Sequence, residues 1–379
     1  MRTKKCDISK STGYIAAVAA LFMAVYSLAC PSLSYDFALK YLRLGAVRVL
    51  PSLIVYMVCA RLIVRSGALA ELCRRMTAAQ RLLGVSPSGL TVVLIGLAFG
   101  FPMGAVAADE LYDRGEIDRE EARRIMPFCN NAGASFLIGA VGAGMFGSAS
   151  VGVSLMIGQT LSSVTALILT RGRSAHTESA SDISTSVSLS DISDSIAKSG
   201  TSAVSIITFI AFFGAASEMI ARVFHLPEIV GAIIGGAFEI SGGMAIASGL
   251  DLPLGLRLLI CAVLCGFGGL SVMMQAAFAA RDCGFDAGSY LIGRVIHGVG
   301  CCAFSTLIYY LIFEKILALS DFFYIIHLYI VTYPFVLPTM LSALLAIAVL
   351  TALNLCRKKR KKSEKRVEKR QQLVYNRNK

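Results

Sequence analysis

The sequence predicts an all-α, polytopic integral membrane protein, and three observations point to that fold class. Of the 379 residues, 56% are hydrophobic and 16% are charged, whereas a soluble domain is about 45–50% apolar and about 25% charged. The mean hydropathy is +0.69. The formal net charge of +12 is concentrated at one end, because 12 Lys/Arg and two Glu fall within 357–379. This distribution excludes a basic nucleic-acid-binding domain, a disordered chain and a secreted disulfide scaffold.

Ten apolar runs are candidate membrane helices, since a helix needs roughly 20 residues to cross the bilayer core. They lie at 13–30, 44–64, 89–108, 126–147, 148–170, 201–224, 228–249, 257–280, 290–314 and 328–355. Two runs carry helix breakers, namely Gly100, Pro102 and Gly104 in the third run and Gly266, Gly268 and Gly269 in the eighth. Such breaks are tolerated at membrane depth where protein shields them or a cavity adjoins them. We therefore expect both runs to be broken helices or re-entrant hairpins, within about 8–10 transmembrane helices.

The orientation of the chain follows from the basic residues next to the spans. Lys and Arg precede the first run and follow the last one, so both termini are expected in the cytoplasm and the number of crossings is expected to be even. Ten crossings meet this condition, and so do eight crossings with two hairpins. In the ten-span count the loop with Arg65 and Arg81 is cytoplasmic, and the polar stretch 109–124 lies on the opposite side.

The predicted organisation has two membrane halves with related sequences. The parts are an N-terminal cytoplasmic segment with the first helix at 1–43, a first half at 44–170, a Ser-rich linker at 171–200, a second half at 201–356 and a basic cytoplasmic tail at 357–379. The linker is too polar to bury enough surface to fold alone. The segments GFPMGAVAADELYDRG at Gly100 and GFGGLSVMMQAAFAARDCG at Gly266 are similar, and the same offset places Asn131 opposite His297. An odd number of runs per half would make the repeats inverted, a plan that places binding near the midplane.

Polar residues inside the apolar runs are the candidates for a functional site, because a charge at the bilayer centre costs about 2.5–3.5 kcal/mol on insertion scales. The substrate-binding candidates are Gly100, Pro102, Gly104, Asn130, Asn131, Gln275 and His297, and the gating or ion-coupling candidates are Glu218, Glu239 and Arg294. The break at Gly100–Gly104 would present a helix N-terminus suited to an anion. The alternatives are a kinked packing helix, interhelical hydrogen bonds and, for Arg294, snorkelling to an interface.

The motifs of common enzymes and cofactor sites are missing from the sequence. It contains no P-loop, no G-x-S-x-G elbow and no H-E-x-x-H, and its four histidines are dispersed. The 11 cysteines include no C-x-x-C pair and are expected to be buried free thiols. The G-x-G-x-x-G pattern at 142–147 lies inside an apolar run, where it favours helix packing over dinucleotide binding. We expect no catalytic residues, no bound metal and no cofactor.

Two longer segments resemble a known family. The segment GFPMGAVAADELYDRGEIDREEARRIMPFCNNAGASFLIGAVGAGMFGS is similar to a signature of the sporulation integral membrane protein YlbJ family, and GGLSVMMQ followed by YLIGRVIHG resembles its second signature. The two-half architecture is similar to the wider nucleoside-recognition or Gate-domain superfamily. The resemblance implies a role in endospore formation at the outer forespore membrane and movement of dipicolinic acid towards the forespore.

The partners that this interpretation implies are the lipid bilayer, a small anionic metabolite and a coupling cation or proton, with no nucleic acid. A homo-oligomer is a further option that the sequence leaves open. Two other functions also stay open, a nucleoside carrier and a structural or assembly protein of the forespore membranes that transports nothing.

Overall fold

The computed structural model of this chain describes residues 2–171 and 187–313, and within these ranges it contains helices and no strand. The predicted all-α fold class is confirmed. The run at 328–355, the basic tail at 357–379 and residues 172–186 of the Ser-rich linker lie outside the described residues. The cytoplasmic location of both termini therefore stays a prediction.

Fifteen α-helices follow one another in the two described ranges. They are α1 (Arg2–Ala29), α2 (Pro31–Arg43), α3 (Leu50–Arg65), α4 (Ala68–Arg75), α5 (Thr77–Leu83), α6 (Pro87–Phe99), α7 (Met103–Asp113), α8 (Arg119–Cys129), α9 (Ala149–Leu169), α10 (Leu189–Val223), α11 (Glu228–Phe238), α12 (Ile240–Gly249), α13 (Leu254–Phe267), α14 (Gly269–Ala279) and α15 (Ala287–Ile308). Three π-helical segments, Leu44–Val49, Ser135–Met145 and Tyr309–Phe313, adjoin them.

Four segments are long and apolar enough to cross a bilayer, and up to seven are if each of three bent helix pairs is one span. The four are α9, α10, the pair α13–α14, and α15 with its extension to Leu311. This count covers the described residues alone, whereas the eight to ten helices are expected of the whole sequence. Two of the predicted runs fold back on themselves.

The helices α6 and α7 form a re-entrant hairpin, as the glycines and the proline predicted. Ser88 near the start of α6 donates a hydrogen bond of 3.1 Å to Glu116, which follows α7. Both ends of the hairpin therefore lie on one side of the protein. The tip consists of Gly100–Pro102, and the Phe101–Pro102 peptide bond there is cis.

The hairpin overturns the predicted sidedness of two polar segments. Arg65 at the end of α3 donates a hydrogen bond of 2.7 Å to Glu110 on α7 and forms an ion pair with Asp194 in the first turns of α10. The loop after Arg65 and the stretch 109–124 consequently lie on the same side, not on opposite sides. The physical reason is that the run at 89–108 returns to its starting side. We call this side the Arg65 face.

A second hairpin, α11–α12, was predicted as one uninterrupted run at 228–249. The structure breaks it at Glu239, whose carboxylate caps α12 by accepting a hydrogen bond of 2.7 Å from the Gly242 amide. Gly243 packs so closely on Gly236 that an added Cβ would collide with the backbone of α11. This close approach holds the two short helices side by side. The residues of α12 that follow its tip adjoin Lys40, and we call that side the Lys40 face.

The two halves repeat the same order of elements with opposite orientation. A long helix (α3 or α10) is followed by a hairpin (α6–α7 or α11–α12), a broken span (α8 with 135–145, or α13–α14) and a continuous helix (α9 or α15). The broken span of the first half ends at Phe146, which lies under the guanidinium of Arg257 near the start of α13. That of the second half ends beside Asp109, which accepts a hydrogen bond of 3.0 Å from the Cys283 amide. The spans therefore run in opposite directions, as expected for inverted repeats.

The order of the elements shows that the sequence analysis paired the wrong segments of the two halves, namely those at Gly100 and Gly266. The Gly100 break corresponds to the break at Glu239, and the break at 130–134 corresponds to the one at Gly268. Asn131 lies in a broken span, whereas His297 lies in the continuous helix α15. The similar Gly-Phe motifs at Gly100 and Gly266 misled the alignment because glycine suits any tight break in a helix.

The second half begins before the predicted boundary at 201. Helix α10 already starts at Leu189, because Ser188 and Asp191 form a reciprocal capping box at its N-terminus. The ion pair between Arg65 and Asp194 then holds the first turns against the first half. Residues 189–200 are polar on composition but are stabilised by these contacts.

Candidate functional site

The unwound segment between α8 and the π-helical residues Ser135–Met145 contains the two predicted asparagines. Pro127 lies in the last turn of α8, and its missing N–H weakens the helix there. Asn130 donates a hydrogen bond of 2.9 Å to the Tyr290 hydroxyl, and Asn131 donates one of 2.9 Å to Ser163 Oγ. Both asparagines are fully buried. Each side-chain oxygen lacks a hydrogen-bond partner among the described residues, so both retain the capacity to accept.

Gln159 forms hydrogen bonds with the main chain of Ala132, the next residue of the unwound segment. The sequence analysis did not predict Gln159 as a site residue. Its amide nitrogen donates to the Ala132 carbonyl at 2.6 Å, and its amide oxygen accepts from the Ala132 N–H at 3.2 Å. This pair of bonds replaces the helical partners that Ala132 lacks. A signal was present in the sequence, because Gln159 is a buried polar residue in an apolar run in the same way as Gln275.

The tip of the first hairpin packs directly on the unwound segment. The Phe101 N–H donates to the Asn131 carbonyl at 2.5 Å. Gly100 has φ +81°, and a Cβ at that position would lie 2.7 Å from the Gly133 nitrogen. A Cβ on Gly104 would lie 2.1 Å from the Cys129 carbonyl oxygen. Two of the predicted site glycines are therefore required by close backbone contacts, which bring the first break against the second.

Arg294 connects the unwound segments of the two halves. Its guanidinium donates to the carbonyl oxygens of Pro127 (3.0 Å), Asn130 (2.9 Å), Cys265 (3.3 Å) and Phe267 (3.0 Å). These carbonyls end α8 and α13, where helix dipoles favour a cation. The residue is 1% exposed, so the alternative that Arg294 snorkels to an interface is wrong. No carboxylate contacts it in the described ranges.

His297 lies one turn after Arg294 on α15 and faces α9. Its Nδ1 is 2.8 Å from Ser162 Oγ, and the same hydroxyl donates to the His297 carbonyl at 2.9 Å. The ring is buried, and Nε2 has no hydrogen-bond partner within the described part of the chain. His297 is thus close to the unwound segment but is joined to α9 and not to Asn131.

The remaining predicted residues fall in two places. Glu239 is 1% exposed at the tip of the second hairpin, and buried Gln275 on α14 donates to Ser271 Oγ at 3.1 Å. Glu218 pairs with Lys40 at 2.5 Å near the Lys40 face, and 21% of its side chain is exposed. Glu218 and Glu239 are both close to Tyr41, but Glu239 is buried at a hairpin tip whereas Glu218 is ion-paired and partly exposed.

A small cavity lies where the tips of both hairpins meet. Its volume is about 70 Å³, and its lining includes Gly100, Gly133 and Ser135 from the first half and Ser241 from the second. Ile206 of α10 also lines it. Ile206 is midway along α10 between Asp194 and Glu218, roughly 18 Å from each at 1.5 Å per residue. The cavity is therefore about midway between the Arg65 face and the Lys40 face.

The cavity is lined mainly by apolar side chains, and Ser135 and Ser241 are its polar ones. Two helical segments begin at the cavity, at Ser135 and at Ile240, and their first N–H groups favour negative charge. In the described residues, three carboxylates close enough to hold a cation occur once, at Asp109, Asp113 and Asp282. These lie at the Arg65 face, away from the cavity. Asp109 there already accepts hydrogen bonds from the amides of Asp282 and Cys283.

Two inverted halves, each with a re-entrant hairpin and a broken span beside a small, mainly apolar cavity, define an integral membrane protein of the inverted-repeat class. The chain is 23% identical over 343 residues to the sporulation integral membrane protein YlbJ of Bacillus subtilis (strain 168), a match that covers 80% of this chain and 84% of that protein. This match confirms the family resemblance that the two signatures predicted. No protein-family model and no solved structure matches the chain.

Proposed function

We propose that this protein is a transporter that moves a small organic anion across a membrane of a sporulating cell, with dipicolinate as the substrate that the family resemblance implies. The observation that carries the proposal is the meeting of both hairpin tips and an unwound segment at a cavity about midway between the two faces of the protein. Secondary transporters of the inverted-repeat type bind their substrates at such places. The similarity to the sporulation integral membrane protein YlbJ contributes the sporulation context.

The chemistry of the cavity supports an anionic substrate. Dipicolinate is a planar dianion at neutral pH, and the N–H groups at Ser135 and Ile240 are donors that a carboxylate can accept. Arg294 places a positive charge close behind the unwound segment without a carboxylate partner in the described residues. Asn130 and Asn131 do not line the closed cavity, but they belong to the unwound segment whose Gly133 does, and they would orient the substrate once the cavity opens.

Glu239 supplies a means of coupling transport to protons. Its carboxylate occupies the N-terminus of α12 beside Ser241, which is where a substrate carboxylate would otherwise bind. Ionising two carboxylates in one buried site is unfavourable in free energy, because the like charges repel each other. Protonation of Glu239 would therefore favour anion binding, and its deprotonation would favour release.

The conformation described here is closed around the cavity. A volume of about 70 Å³ is well below the roughly 300–1,000 Å³ of typical small-molecule sites. Substrate entry would require the hairpins to separate. At the Arg65 face, the ion pairs of Arg65 with Glu110 and Asp194 join α3, α7 and α10 and would keep that route closed.

The test is uptake of radiolabelled dipicolinate into vesicles that contain the purified full-length protein, with and without a pH gradient. Saturable uptake that empty vesicles lack is expected, and labelled uridine should not compete. Uptake of uridine without dipicolinate would identify a nucleoside carrier. Uptake of neither compound would contradict the proposal and favour a structural or assembly protein of the forespore membranes.

A further inference from the structure

A second and larger depression lies on the Lys40 face. It has a volume of about 660 Å³ and is lined by Lys40, Tyr41, Arg43, Leu44, Val47, Gly242, Ala245 and Ile246. We call it the Lys40 groove. Its volume falls within the roughly 300–1,000 Å³ typical of small-molecule sites, and it is open to the outside. The groove is therefore large enough to admit an organic anion that the closed central cavity excludes.

The charged residues of the groove are basic. The Lys40 side chain is 57% exposed, and Arg43 is exposed one turn further along α2. Lys40 pairs with Glu218 at 2.5 Å, whereas Arg43 has no hydrogen-bond or ion-pair partner in the described residues. The two cations and Glu218 leave a net positive charge at the groove. Exposed charges of one sign at a cleft raise the local concentration of ligands of opposite sign.

The groove adjoins the central cavity through a thin barrier. Leu44 lines both spaces, and neighbouring residues of α12 divide between them, with Ser241 on the cavity and Gly242 on the groove. Leu44 is the first residue after α2, at the start of the π-helical segment Leu44–Val49. Leu44 therefore stands between the groove and the cavity that separation of the hairpins would enlarge.

The part of the groove wall formed by Tyr41 is closely packed. Tyr41 is 1% exposed, and its ring packs against Gly214 of α10 and Gly242 of α12 so closely that a Cβ on either glycine would collide with it. The Tyr41 hydroxyl donates to Glu218 at 3.3 Å. Glu218 is thus held where it partly neutralises Lys40, and it would compete with an incoming anion for that cation.

We propose that the Lys40 groove is an entry or exit site that binds the carboxylates of a soluble organic anion through Lys40 and Arg43, with Leu44 as the barrier to the central cavity. This inference rests on the proposed function for the identity of the transported anion. The phosphate of an anionic lipid has the same recognition chemistry, and the test separates the two sources.

The test compares the double variant Lys40→Gln/Arg43→Gln with the matched control Arg75→Gln/Arg81→Gln, which removes two exposed charges in helices α4 and α5. In full-length protein in vesicles of neutral lipid, the groove variant is expected to raise the KM for dipicolinate about tenfold with little change in maximal rate. The control should leave KM unchanged. Glu218→Gln should lower KM, because it releases Lys40 from its partner.

Three outcomes would overturn the inference. One is an unchanged KM in the groove variant while the wild type transports normally, which leaves the proposed function intact. Another is equal loss in the groove variant and the control, which would indicate a general charge effect. The third uses equilibrium binding to protein in neutral nanodiscs and needs no transport. If phosphatidylglycerol binds through Lys40 and Arg43 but dipicolinate does not, the groove is a lipid site. Binding of dipicolinate that the groove variant loses would support the inference even if uptake fails, and failure of uptake would contradict only the proposed function.

Discussion

Arg294 donates a hydrogen bond of 2.9 Å to the main-chain carbonyl of Asn130, the residue at which α8 ends. The same guanidinium donates to the carbonyls of Cys265 and Phe267 at the end of α13. One side chain from α15 therefore satisfies carbonyl oxygens in the broken spans of both halves. Its planar, divergent donors suit this task in a way that a single ammonium group does not.

The first prediction concerns this connection. Arg294→Lys should lower uptake at least tenfold and reduce the free energy of unfolding by about 2–4 kcal/mol, because several buried carbonyls lose their donor. Thermal unfolding in detergent and uptake into vesicles measure the two effects. Lys198→Arg, at an exposed position on α10, is the control for handling the protein. A variant with wild-type stability and uptake would show that the connection is dispensable.

The second prediction concerns the asparagines. Asn130→Ala and Asn131→Ala should each abolish most uptake while the protein still accumulates in the membrane, because Asn130 loses one side-chain hydrogen bond and Asn131 loses two, at about 1 kcal/mol of stability each. Ser163→Ala is the matched control, since it removes the partner of Asn131 and leaves the amide in place. If the asparagine variants disappear from the membrane, or transport normally, the pair stabilises packing and the site lies elsewhere.

The third prediction concerns Gly100. Gly100→Ala combines an unfavourable φ of +81° with a Cβ placed 2.7 Å from the Gly133 nitrogen. Gly147→Ala is the control, because Gly147 also has a positive φ of +66° but nothing lies within 4 Å of an added Cβ. The control should lose about 1–2 kcal/mol from backbone strain, and Gly100→Ala should lose more together with uptake. Equal effects on thermal unfolding would contradict the close packing of the hairpin tip.

The fourth prediction concerns closure of the Arg65 face. Arg65→Gln removes the ion pairs to Glu110 and Asp194 and should make the central cavity accessible from that face. The measurement uses the variant Ile210→Cys, since Ile210 lines the cavity, and a membrane-impermeant maleimide. Mass spectrometry of the peptide that contains residue 210 measures its labelling separately from that of the native cysteines. Labelling should rise several-fold in Arg65→Gln but not in Arg75→Gln. Unchanged labelling would mean that another contact closes this face.

Glu239→Gln tests the coupling role. The variant keeps a side-chain oxygen that can accept from the Gly242 amide but cannot bind or release a proton. We expect its abundance in the membrane to stay near wild type while the dependence of dipicolinate uptake on pH becomes flatter. Uptake with the wild-type pH profile would assign proton coupling to a different residue.

The sequence by itself determined the membrane class and the interruptions at Gly100 and Gly268. Both depend on local properties, namely the apolar content of each run and the freedom of glycine to adopt positive φ. It also predicted Asn130, Asn131 and Glu239 as buried polar residues, because an unpaired polar group is costly in lipid wherever it lies. The family signatures are contiguous segments, so the sequence alone was enough to identify them.

The tertiary structure alone decided which of these residues meet. The break at Glu239, the partners of Arg294, the role of Gln159 and the start of α10 at Leu189 all depend on hydrogen bonds between residues distant in sequence. The inversion of the repeats follows from which ends of helices are in contact, as Arg65 is with Glu110. Composition and spacing do not contain that information, because a run of a given hydropathy can either cross the bilayer or fold back, and the contacts at its two ends determine which.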